Sequence, residues 1–330
     1  MAILNLKEAA VNGKVSQGSV LINTPPLVRS GKKNDYMVGQ FLSPDDSYEF
    51  KIWEEDIFSI VRANGTGIYD VEVIGADFNG FYFTVKKIEP SHDKNISKHD
   101  FLPSIPRDYI NNQWRETVKR LSSKGVSDTC WGIVQEVITD PELENRFTVE
   151  GAAVFYHDNK IGGLVNHTTK MLNILASLLD NNRELRECSD LLAFSITVHD
   201  IGKVFEYQDL APSEFWYANH RVRGIEFLAK YKEKIIDLYD ETFYRQVQSV
   251  ISGHHGDFGD RPTSVAAGIV HYIDTLESQT TSLIEAVNTA KTDRIRYADW
   301  GFLEPLPIGK FKPIPEDSPE ALESYFIDQK

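Results

Sequence analysis

A segment near the middle of the chain reads Leu191-Leu192-Ala193-Phe194-Ser195-Ile196-Thr197-Val198-His199-Asp200-Ile201-Gly202-Lys203. Its first eight residues are apolar on every helical face, which predicts a buried helix, with Ser189 or Asp190 as the N-cap. A buried helix that ends in an imidazole and a carboxylate needs a partner for both groups. A metal ion satisfies both at once because it takes each of them as a ligand. We therefore predict a metal site here, with a turn at Gly202 that places Lys203 beside it.

The composition limits the classes of protein that this chain can belong to. With 330 residues it is long enough for two domains, each with its own core. A formal net charge of −14 excludes a broadly basic protein that coats nucleic acid, although a local basic groove stays open. Cys130 and Cys188 lack the spacing of a metal site or a disulfide framework, so we expect two buried thiols in a reducing cytosol. We find no signal peptide and no apolar run that could span a membrane, so we expect a cytoplasmic protein without membrane contact.

The first third of the chain has the pattern of β-structure. Short strand-like runs cover residues 36–42, 48–53 and 67–74, and a turn at 77–80 precedes the alternating segment from Phe81 to Val85. Short strands with turns at this spacing predict a small barrel or sandwich. An oligonucleotide-binding (OB) barrel is one candidate, so residues 1–90 are interpreted as an OB-like, nucleic-acid-binding β-barrel.

The rest of the chain has helical periodicity. Residues 91–125 are interpreted as a linker and a connecting helix, residues 126–315 as an all-α domain, and residues 316–330 as an acidic tail. Helical patterns cover 164–179, 214–231, 243–252 and 265–290. The fold class is therefore multi-domain α and β. Whether the helices between 114 and 138 pack between domains or between subunits stays open, so a homo-oligomer is one alternative.

Histidines concentrate in the helical half, where seven of the nine lie between His157 and His271. His167 lies on a predicted helix, and His254 and His255 lie between two glycines that allow close backbone approach. Asp274 is a carboxylate inside an otherwise apolar helix, so it needs a buried partner. His220 is either a ligand or a packed side chain, and His271 either supports a ligand or packs. Mixed imidazole and carboxylate ligands suit Mn²⁺, Fe²⁺, Co²⁺, Ni²⁺ or Zn²⁺ better than Ca²⁺.

The order His, His-Asp, His, His-His, Asp resembles the HD-domain metal-dependent phosphohydrolases. The resemblance implies a first metal ion on His167, His199, Asp200 and Asp274. It implies a second ion on His220, His254 and His255, with Asp200 between the two ions. Two ions about 3.5–4 Å apart can generate hydroxide and hold both oxygens of an in-line displacement. Asp200 and Lys203 are then the catalytic candidates, since Lys203 is placed to stabilise charge on the phosphate.

The barrel-plus-helices order narrows the resemblance to the bacterial YhaM-type 3′→5′ exoribonucleases, from about residue 36 to residue 313. Besides the motifs above, it is carried by Tyr48-Glu49-Phe50-Lys51-Ile52-Trp53, by His271-Tyr272-Ile273-Asp274 and by Gly309-Lys310-Phe311-Lys312-Pro313. The chain departs from the family at His157-Asp158, where the family tends to carry a histidine pair. Residues 204–220 are also difficult to align, which leaves the substrate preference open.

The resemblance implies a metal-dependent phosphodiesterase that trims single-stranded RNA, and also single-stranded DNA as an alternative, from the 3′ end. Metal-activated hydroxide would release nucleoside 5′-monophosphates, with two ions per site and Mn²⁺ as the first candidate metal. The resemblance makes Lys203 and His157 substrate-binding candidates in the helical half. Single strands bind barrels through stacked aromatics and a basic rim, so Tyr36, Trp53, Lys32 and Lys33 are the candidates on the barrel. Phe50, Tyr82, Arg29 and Lys51 are further candidates, although alternate aromatics of a small barrel usually face its core.

Two other functions stay open at this point. The same site could hydrolyse cyclic or other small nucleotides, which would suit the acidic net charge and the weakly basic barrel. Alternatively, the chain could be a non-catalytic nucleic-acid-binding adaptor with a structural metal. The complete series of ligand candidates and the presence of Lys203 favour an enzyme.

Overall fold

The computed structural model describes residues 1–31, 34–44, 46–78, 80–153, 158–289, 294–297 and 300–307. The chain divides into two compact units, Met1–Ser278 and Gln279–Lys330. Five of the predicted features lie outside the described residues: Lys32, Lys33, His157, the motif 309–313 and the tail 316–330. The predicted domain limits at residues 90, 125 and 315 stay predictions.

The N-terminal part of the first unit is a mixed six-stranded sheet. Its strands are β1 (Val15–Ile22), β2 (Leu27–Ser30), β3 (Asp35–Ser43), β4 (Asp46–Ile52), β5 (Gly67–Asp77) and β6 (Phe81–Pro90). They pair in the order β1-β5-β6-β4-β3-β2, and a further pairing of Leu21 with Leu42 joins β1 to β3. Only β4 and β6 pair in parallel among the described strands. Helix α1 (Leu6–Ala9) precedes the sheet, and α2 (Glu55–Asn64) connects β4 to β5.

The alternation of side chains along these strands forms a core on one face of the sheet. Phe41 and Phe50 are fully buried and stack with ring centroids 4.2 Å apart. Burial of each such ring stabilises the fold by about 1.5–3 kcal/mol. Phe50 is therefore a core residue, and the interpretation of this side chain as a substrate contact is wrong.

The helical part follows the sheet along the chain. Its helices are α3 (Arg107–Ser122), α4 (Asp128–Ile138), α5 (Gly163–Asn181), α6 (Ser189–Val198), α7 (Lys203–Glu206), α8 (His220–Leu228), α9 (Lys232–Leu238), α10 (Glu241–Gly253) and α11 (Val265–Thr289). Two short strands, β7 (Tyr207–Gln208) and β8 (Ala211–Pro212), form a small hairpin between α7 and α8. This part is therefore helical apart from the hairpin.

Helix α6 is buried at every residue except the half-buried Asp190, as its apolar sequence predicts. The predicted N-cap is wrong, because Cys188 occupies that position and makes no side-chain capping bond. Asp190 instead accepts hydrogen bonds from the backbone N–H of Ser127 at 2.7 Å and from the hydroxyl of Tyr239 at 2.9 Å. Its carboxylate thus joins α6 to neighbouring elements rather than capping its own helix.

Helix α8 begins at His220, six residues after the start that periodicity predicts. The carboxamide of Asn219 accepts a hydrogen bond of 2.9 Å from the backbone N–H of Arg221, which caps the helix here. The preceding residues form turns, with Trp216 N donating to the carbonyl of Ser213. The predicted helix starts too early because the apolar pattern of α8 continues backwards through these turns.

The second unit contains the C-terminal end of α11 and a hairpin of β9 (Ile295–Tyr297) and β10 (Gly301–Leu303). The hydroxyl of Tyr297 donates a hydrogen bond of 2.8 Å to the side chain of Gln279 within this unit. Across the described residues, every helix is too short or too polar to cross a lipid bilayer. Cys130 is buried as expected, but Cys188 is exposed, so the prediction of two buried thiols is wrong.

Candidate metal centre

The predicted ligands come together where α5, α6, α8, α10 and α11 meet. His167 lies on α5, His199 and Asp200 follow α6, and His220 begins α8. His254 follows α10, and Asp274 lies on α11. Three groups of side chains have ligand atoms within 4.8 Å of one another: Asp200 with His220, His254 and His255; His167 with His199 and Asp200; and His199 with His254 and Asp274.

Asp200 lies at the centre of the cluster because its two oxygens face different histidines. Oδ2 is 3.2 Å from Nε2 of His199 and 4.0 Å from Nε2 of His167. Oδ1 is 3.4 Å from Nε2 of His254 and 3.6 Å from Nε2 of His220. One carboxylate thus has histidines on both sides, which is the arrangement that a bridging ligand requires.

Four histidines have their Nδ1 atoms engaged outside the cluster. Nδ1 of His199 is 2.7 Å from the carbonyl of Ile196, and Nδ1 of His254 is 3.0 Å from the carbonyl of Ile251. Because the carbonyls accept, both rings carry the proton on Nδ1, and a lone pair stays on Nε2. Carboxylates occupy the same position for the other two rings, Glu277 for His167 and Glu206 for His220.

Unsatisfied polar atoms test whether a cation fits this site. Nε2 of His199, Oδ1 of Asp200 and Nε2 of His254 are buried and have no hydrogen-bond partner among the described residues. Leaving one such atom unpaired costs about 1–3 kcal/mol. Three acceptors facing one another are therefore unfavourable without a shared cation, so these side chains fit a divalent metal.

The protonation states of the site also favour binding of a divalent metal. Burial raises the pKa of Asp200, but the adjacent Lys203 ammonium outweighs burial and lowers it well below its usual range. Burial lowers the pKa of His254, and burial with the neighbouring His254 lowers that of His255 to about 3. The carboxylate is therefore ionised and these two imidazoles are neutral, which are the forms that bind metal.

His167 differs because it lies between two carboxylates. Burial lowers its pKa, but contacts with Asp274 and Glu277 outweigh that effect and raise the pKa to about 10. Nε2 of His167 lies 3.2 Å from Oδ1 of Asp274. A cation that binds between these two side chains competes with that proton.

Lys203 is held between the cluster and the backbone. Its Nζ donates to Oδ2 of Asp200 at 2.6 Å and to the carbonyl of Ala152 at 2.6 Å. Burial lowers the pKa of Lys203, but the Asp200 carboxylate outweighs burial and raises it above the usual range. Lys203 is therefore a permanent cation, and these contacts use two of its three donors.

Gly202 has a different role from the predicted one. Its φ of −66° is ordinary for any residue, so no special turn is needed. A Cβ at Gly202 would lie 1.8 Å from the carbonyl oxygen of His220. The absence of a side chain lets the first turn of α8 approach Asp200 closely.

Sequence reasoning missed two residues that orient the ligands, Glu277 and Glu206, and left the role of a third, His271, open. Glu277 follows Asp274 by one helical turn, so the spacing on α11 could have revealed it. Glu206 pairs with His220 across an intervening hairpin, which leaves no local signal. Nδ1 of His271 lies 2.6 Å from the carbonyl of His254 and thereby fixes the backbone of that ligand candidate, an arrangement that the sequence left open.

The other described substrate-binding candidates belong to the N-terminal sheet, far from this cluster in the sequence. Tyr36 and Trp53 lie on the N-terminal sheet and stack with ring centroids 4.7 Å apart, and Trp53 is 45% exposed. Nζ of Lys51 lies 3.7 Å from the centre of the Tyr82 ring on the same sheet. These contacts describe an aromatic and basic surface of the sheet.

Comparison with known families decides how the helical part is classified. Residues 164–279 match the HD domain family. The chain contains an HD domain. The match runs from α5 into the first part of α11, and these elements carry the clustered histidines and aspartates. The HD domain therefore supplies the candidate metal centre described above.

Relatives that match part of the chain carry two kinds of activity in their names. The chain is 25% identical to the 3′-5′ exoribonuclease YhaM of Bacillus subtilis, over 63% of this chain and 66% of that protein. It is 26% identical to the dihydroneopterin 2′,3′-cyclic phosphate phosphodiesterase of Methanocaldococcus jannaschii, over 43% of this chain and 56% of that protein. The predicted resemblance to HD-domain proteins and YhaM-type exoribonucleases is thereby confirmed. The matches span just under two thirds, or less, of these relatives' lengths.

A solved structure also matches the chain. A mitochondrial single-stranded DNA binding protein of S. cerevisiae aligns with 24% of this chain and 95% of its own length, at 12% identity and a TM-score of 0.22. A likeness at that TM-score carries no argument about the fold or the function.

Proposed function

We propose that this protein is a metal-dependent 3′→5′ exoribonuclease that acts on single-stranded RNA and releases nucleoside 5′-monophosphates. The observation that carries the proposal is the set of buried, unpaired ligand atoms on His199, Asp200 and His254. Similarity to the YhaM exoribonucleases supports the choice of reaction. Single-stranded DNA is an alternative substrate under the same proposal.

The proposed ligand sets follow the two sides of Asp200. His167, His199 and Asp274 would hold one ion with Asp200, while His220, His254 and His255 would hold a second. The third group of close ligand atoms also combines His254 with His199, so His254 has neighbours on both sides. Mn²⁺ is the first candidate for a site of mixed imidazole and carboxylate donors, with Co²⁺, Fe²⁺, Ni²⁺ or Zn²⁺ as alternatives.

When bound, divalent ions in such a site act as Lewis acids that acidify water and polarise a phosphoryl oxygen. The protein's own residues prepare the site for that chemistry. Asp200 stays ionised, and Glu277 and Glu206 hold the rings of His167 and His220 in position. Lys203 keeps its positive charge and would use its third donor for the charge that develops on the phosphate.

We further propose that residues 1–90 form an OB-like barrel, with the helical domain at 126–315. The strand order β1-β5-β6-β4-β3, together with the pairing of Leu21 and Leu42, supports a closed circuit of five strands. Stacking of Tyr36 on Trp53 and the cation of Lys51 over Tyr82 support a surface that binds single strands. Such a surface would deliver the 3′ end to the metal centre, and the cytoplasmic location stays a prediction.

A hydrolase of cyclic or small nucleotides is the second candidate function. The similarity to the archaeal 2′,3′-cyclic phosphate phosphodiesterase favours it, because that match lies at nearly the same identity as the YhaM match. Comparison of kcat/KM for a 2′,3′-cyclic nucleotide and for an RNA oligomer distinguishes the two candidates.

The first experiment uses the same RNA labelled at either end, with Mn²⁺ or with EDTA. We expect immediate release of a labelled mononucleotide from the 3′-labelled strand and a progressively shortened ladder from the 5′-labelled strand. Asp200→Asn should abolish both signals, while the exposed Asp237→Asn control keeps them. Intact RNA with the wild-type protein in every metal contradicts the proposal.

A further inference from the structure

Three large aromatic side chains follow one another at the surface between β8 and α8. Phe215 is 51% exposed, Trp216 is 57% exposed and Tyr217 is 71% exposed. We name residues 213–219 the aromatic loop. Scattered exposed apolar residues are ordinary, but a contiguous group marks a surface that binds something.

The aromatic loop is joined to the metal centre at both of its ends. At its start, Ser213 donates from its backbone to the carbonyl of Glu206 at 2.9 Å and from its hydroxyl to the carbonyl of Phe205 at 2.8 Å. At its end is His220, whose Nδ1 lies 2.7 Å from Oε2 of the same Glu206. The contact between Glu206 and His220 therefore joins the two ends of the segment 206–220, which contains the loop.

The end of the loop consequently lies near one of the proposed ligands. Tyr217 precedes His220 by three residues, so their Cα atoms can be at most roughly 10–11 Å apart even in extended chain. Nε2 of His220 faces the cluster, 3.1 Å from Nε2 of His255 and 3.6 Å from Oδ1 of Asp200. A nucleotide bound at the cluster would place its base within reach of this loop.

The loop is also ordered by its own hydrogen bonds. Trp216 N donates to the carbonyl of Ser213 at 3.2 Å, and Ala218 N donates to the carbonyl of Phe215 at 2.9 Å. The rings of Phe215 and Tyr217 meet edge to face, with centroids 6.4 Å apart. Two consecutive turns fix the backbone of the loop before any ligand binds, so little backbone entropy is lost on binding.

We propose that the aromatic loop stacks on the bases of the nucleic acid whose terminal phosphodiester lies at the metal centre. The inference rests on the proposed function and adds the residues that position the substrate. Aromatic faces bind every base, so the loop would hold a strand without reading its sequence. The loop leads directly into His220, a proposed ligand, and this position favours a nucleobase of the substrate over a protein partner.

Binding without turnover provides the test. We would measure Kd by fluorescence anisotropy in EDTA for a single-stranded RNA and for a ribose-phosphate oligomer of the same length that lacks bases. Loss of one stacked base gives about a fivefold to hundredfold weaker binding, so Trp216→Ala should raise Kd for RNA by a factor in that range. Kd for the base-free oligomer should not change, and Trp216→Phe should restore most of the affinity.

The control is Tyr109→Ala, which removes an aromatic side chain of similar exposure, 52%, from α3. Its Kd for RNA should match that of the wild-type protein. If the wild-type protein binds and degrades RNA but Trp216→Ala binds both oligomers as the wild type does, the stacking inference is overturned and the proposed function stands. An equal loss of affinity for both oligomers overturns it as well.

Failure of the proposed function gives a different pattern. If the wild-type protein degrades only small nucleotides, KM for that nucleotide is measured in Trp216→Ala. A severalfold rise in KM at unchanged kcat then supports base stacking by the loop, while an unchanged KM overturns it.

Discussion

The side-chain amide of Asn23 donates a hydrogen bond of 2.8 Å to the backbone carbonyl of Asp209. Asn23 follows β1 in the N-terminal sheet, whereas Asp209 lies in the turn between β7 and β8. Leu210, the next residue of that turn, packs with Leu21, Phe101 and Leu102. The sheet therefore contacts the short segment that connects Glu206 to the aromatic loop.

The same turn has an unusual backbone. Asp209 and Leu210 have φ values of 52° and 61°, a left-handed conformation that costs free energy in residues other than glycine. The carboxylate of Glu150 accepts hydrogen bonds of 3.2 Å from both of their backbone N–H groups and stabilises this conformation. Arg146 in turn donates to Glu150 at 3.1 Å.

Replacement of Asn23 by alanine should loosen the contact between sheet and turn. We expect the free energy of unfolding to fall by about 1 kcal/mol, and KM for long RNA to rise severalfold while KM for a dinucleotide stays constant. Urea titration and initial rates measure the two effects. Asn64→Ala, which removes an amide that donates to the carbonyl of Ile60 in its own helix α2, is the matched control. Equal changes of KM on both substrates would contradict the coupling.

Replacement of Glu277 by glutamine should weaken metal binding without removing a proposed ligand. Burial raises the pKa of Glu277, but contacts with His167 and Lys170 outweigh it and lower the pKa to about 2. The neutral amide loses this charge beside His167, and loss of such an outer partner typically costs tenfold to a hundredfold in affinity. Calorimetric titration with Mn²⁺ measures the change, and the exposed Glu233→Gln is the control. Unchanged affinity would show that Glu277 does not orient His167.

The sequence predicts the site residues well where the neighbouring residues alone show that a buried polar side chain requires a partner. Asp274 stands out because a carboxylate in an apolar helix requires a partner, and His199-Asp200 stands out because it ends a buried helix. The role of Glu206 is not visible, since its contact with His220 depends on how the hairpin β7–β8 folds. The strand segments at 36–42, 48–53 and 67–74 match β3, β4 and β5 closely, because alternation and turn residues are local signals.

Other differences have the same origin. Phe50 alternates like a surface residue of a binding barrel, yet the direction in which a strand faces is set by its partners. The helical pattern at 214–231 takes in most of the aromatic loop. Phe215 and Tyr217 contribute to that apolar pattern although they are exposed and pack in no core. The cap at Asn219 is the residue that marks the true start of α8.

Replacement of Gly202 by alanine should displace His220 from the cluster. The added Cβ would lie 1.8 Å from the carbonyl of His220 and 2.7 Å from the backbone nitrogen of Gly224, so α8 must move. We expect a loss of several kcal/mol in stability, or a folded protein with at least tenfold weaker Mn²⁺ binding. Gly132→Ala is the matched control, because nothing lies within 4 Å of its added Cβ on α4. That control should gain about 0.5–1 kcal/mol.

Removal of divalent metal should lower the melting temperature of the wild-type protein. A ligand at a hundred times its Kd stabilises the folded state by about 2.7 kcal/mol, and the unpaired atoms of His199 and His254 are the groups that gain. Thermal unfolding with Mn²⁺ and with EDTA measures the shift. Asp200→Asn should lose most of it, because the central charge is gone, whereas Asp237→Asn should keep it. A metal-induced shift of equal size in Asp200→Asn would assign the stabilisation to a different site.

The two cysteines should react at very different rates. Cys188 is exposed, whereas Cys130 is buried on α4. Burial, together with the nearby Asp190 carboxylate, raises the pKa of the Cys130 thiol well above its usual range, so little thiolate forms there at mildly alkaline pH. Ellman's reagent should therefore release one equivalent from the native protein and two in guanidinium chloride. Cys188→Ser should abolish the native reaction; two fast equivalents from the native wild type would mean that α4 opens readily and exposes the helical core that contains Cys130.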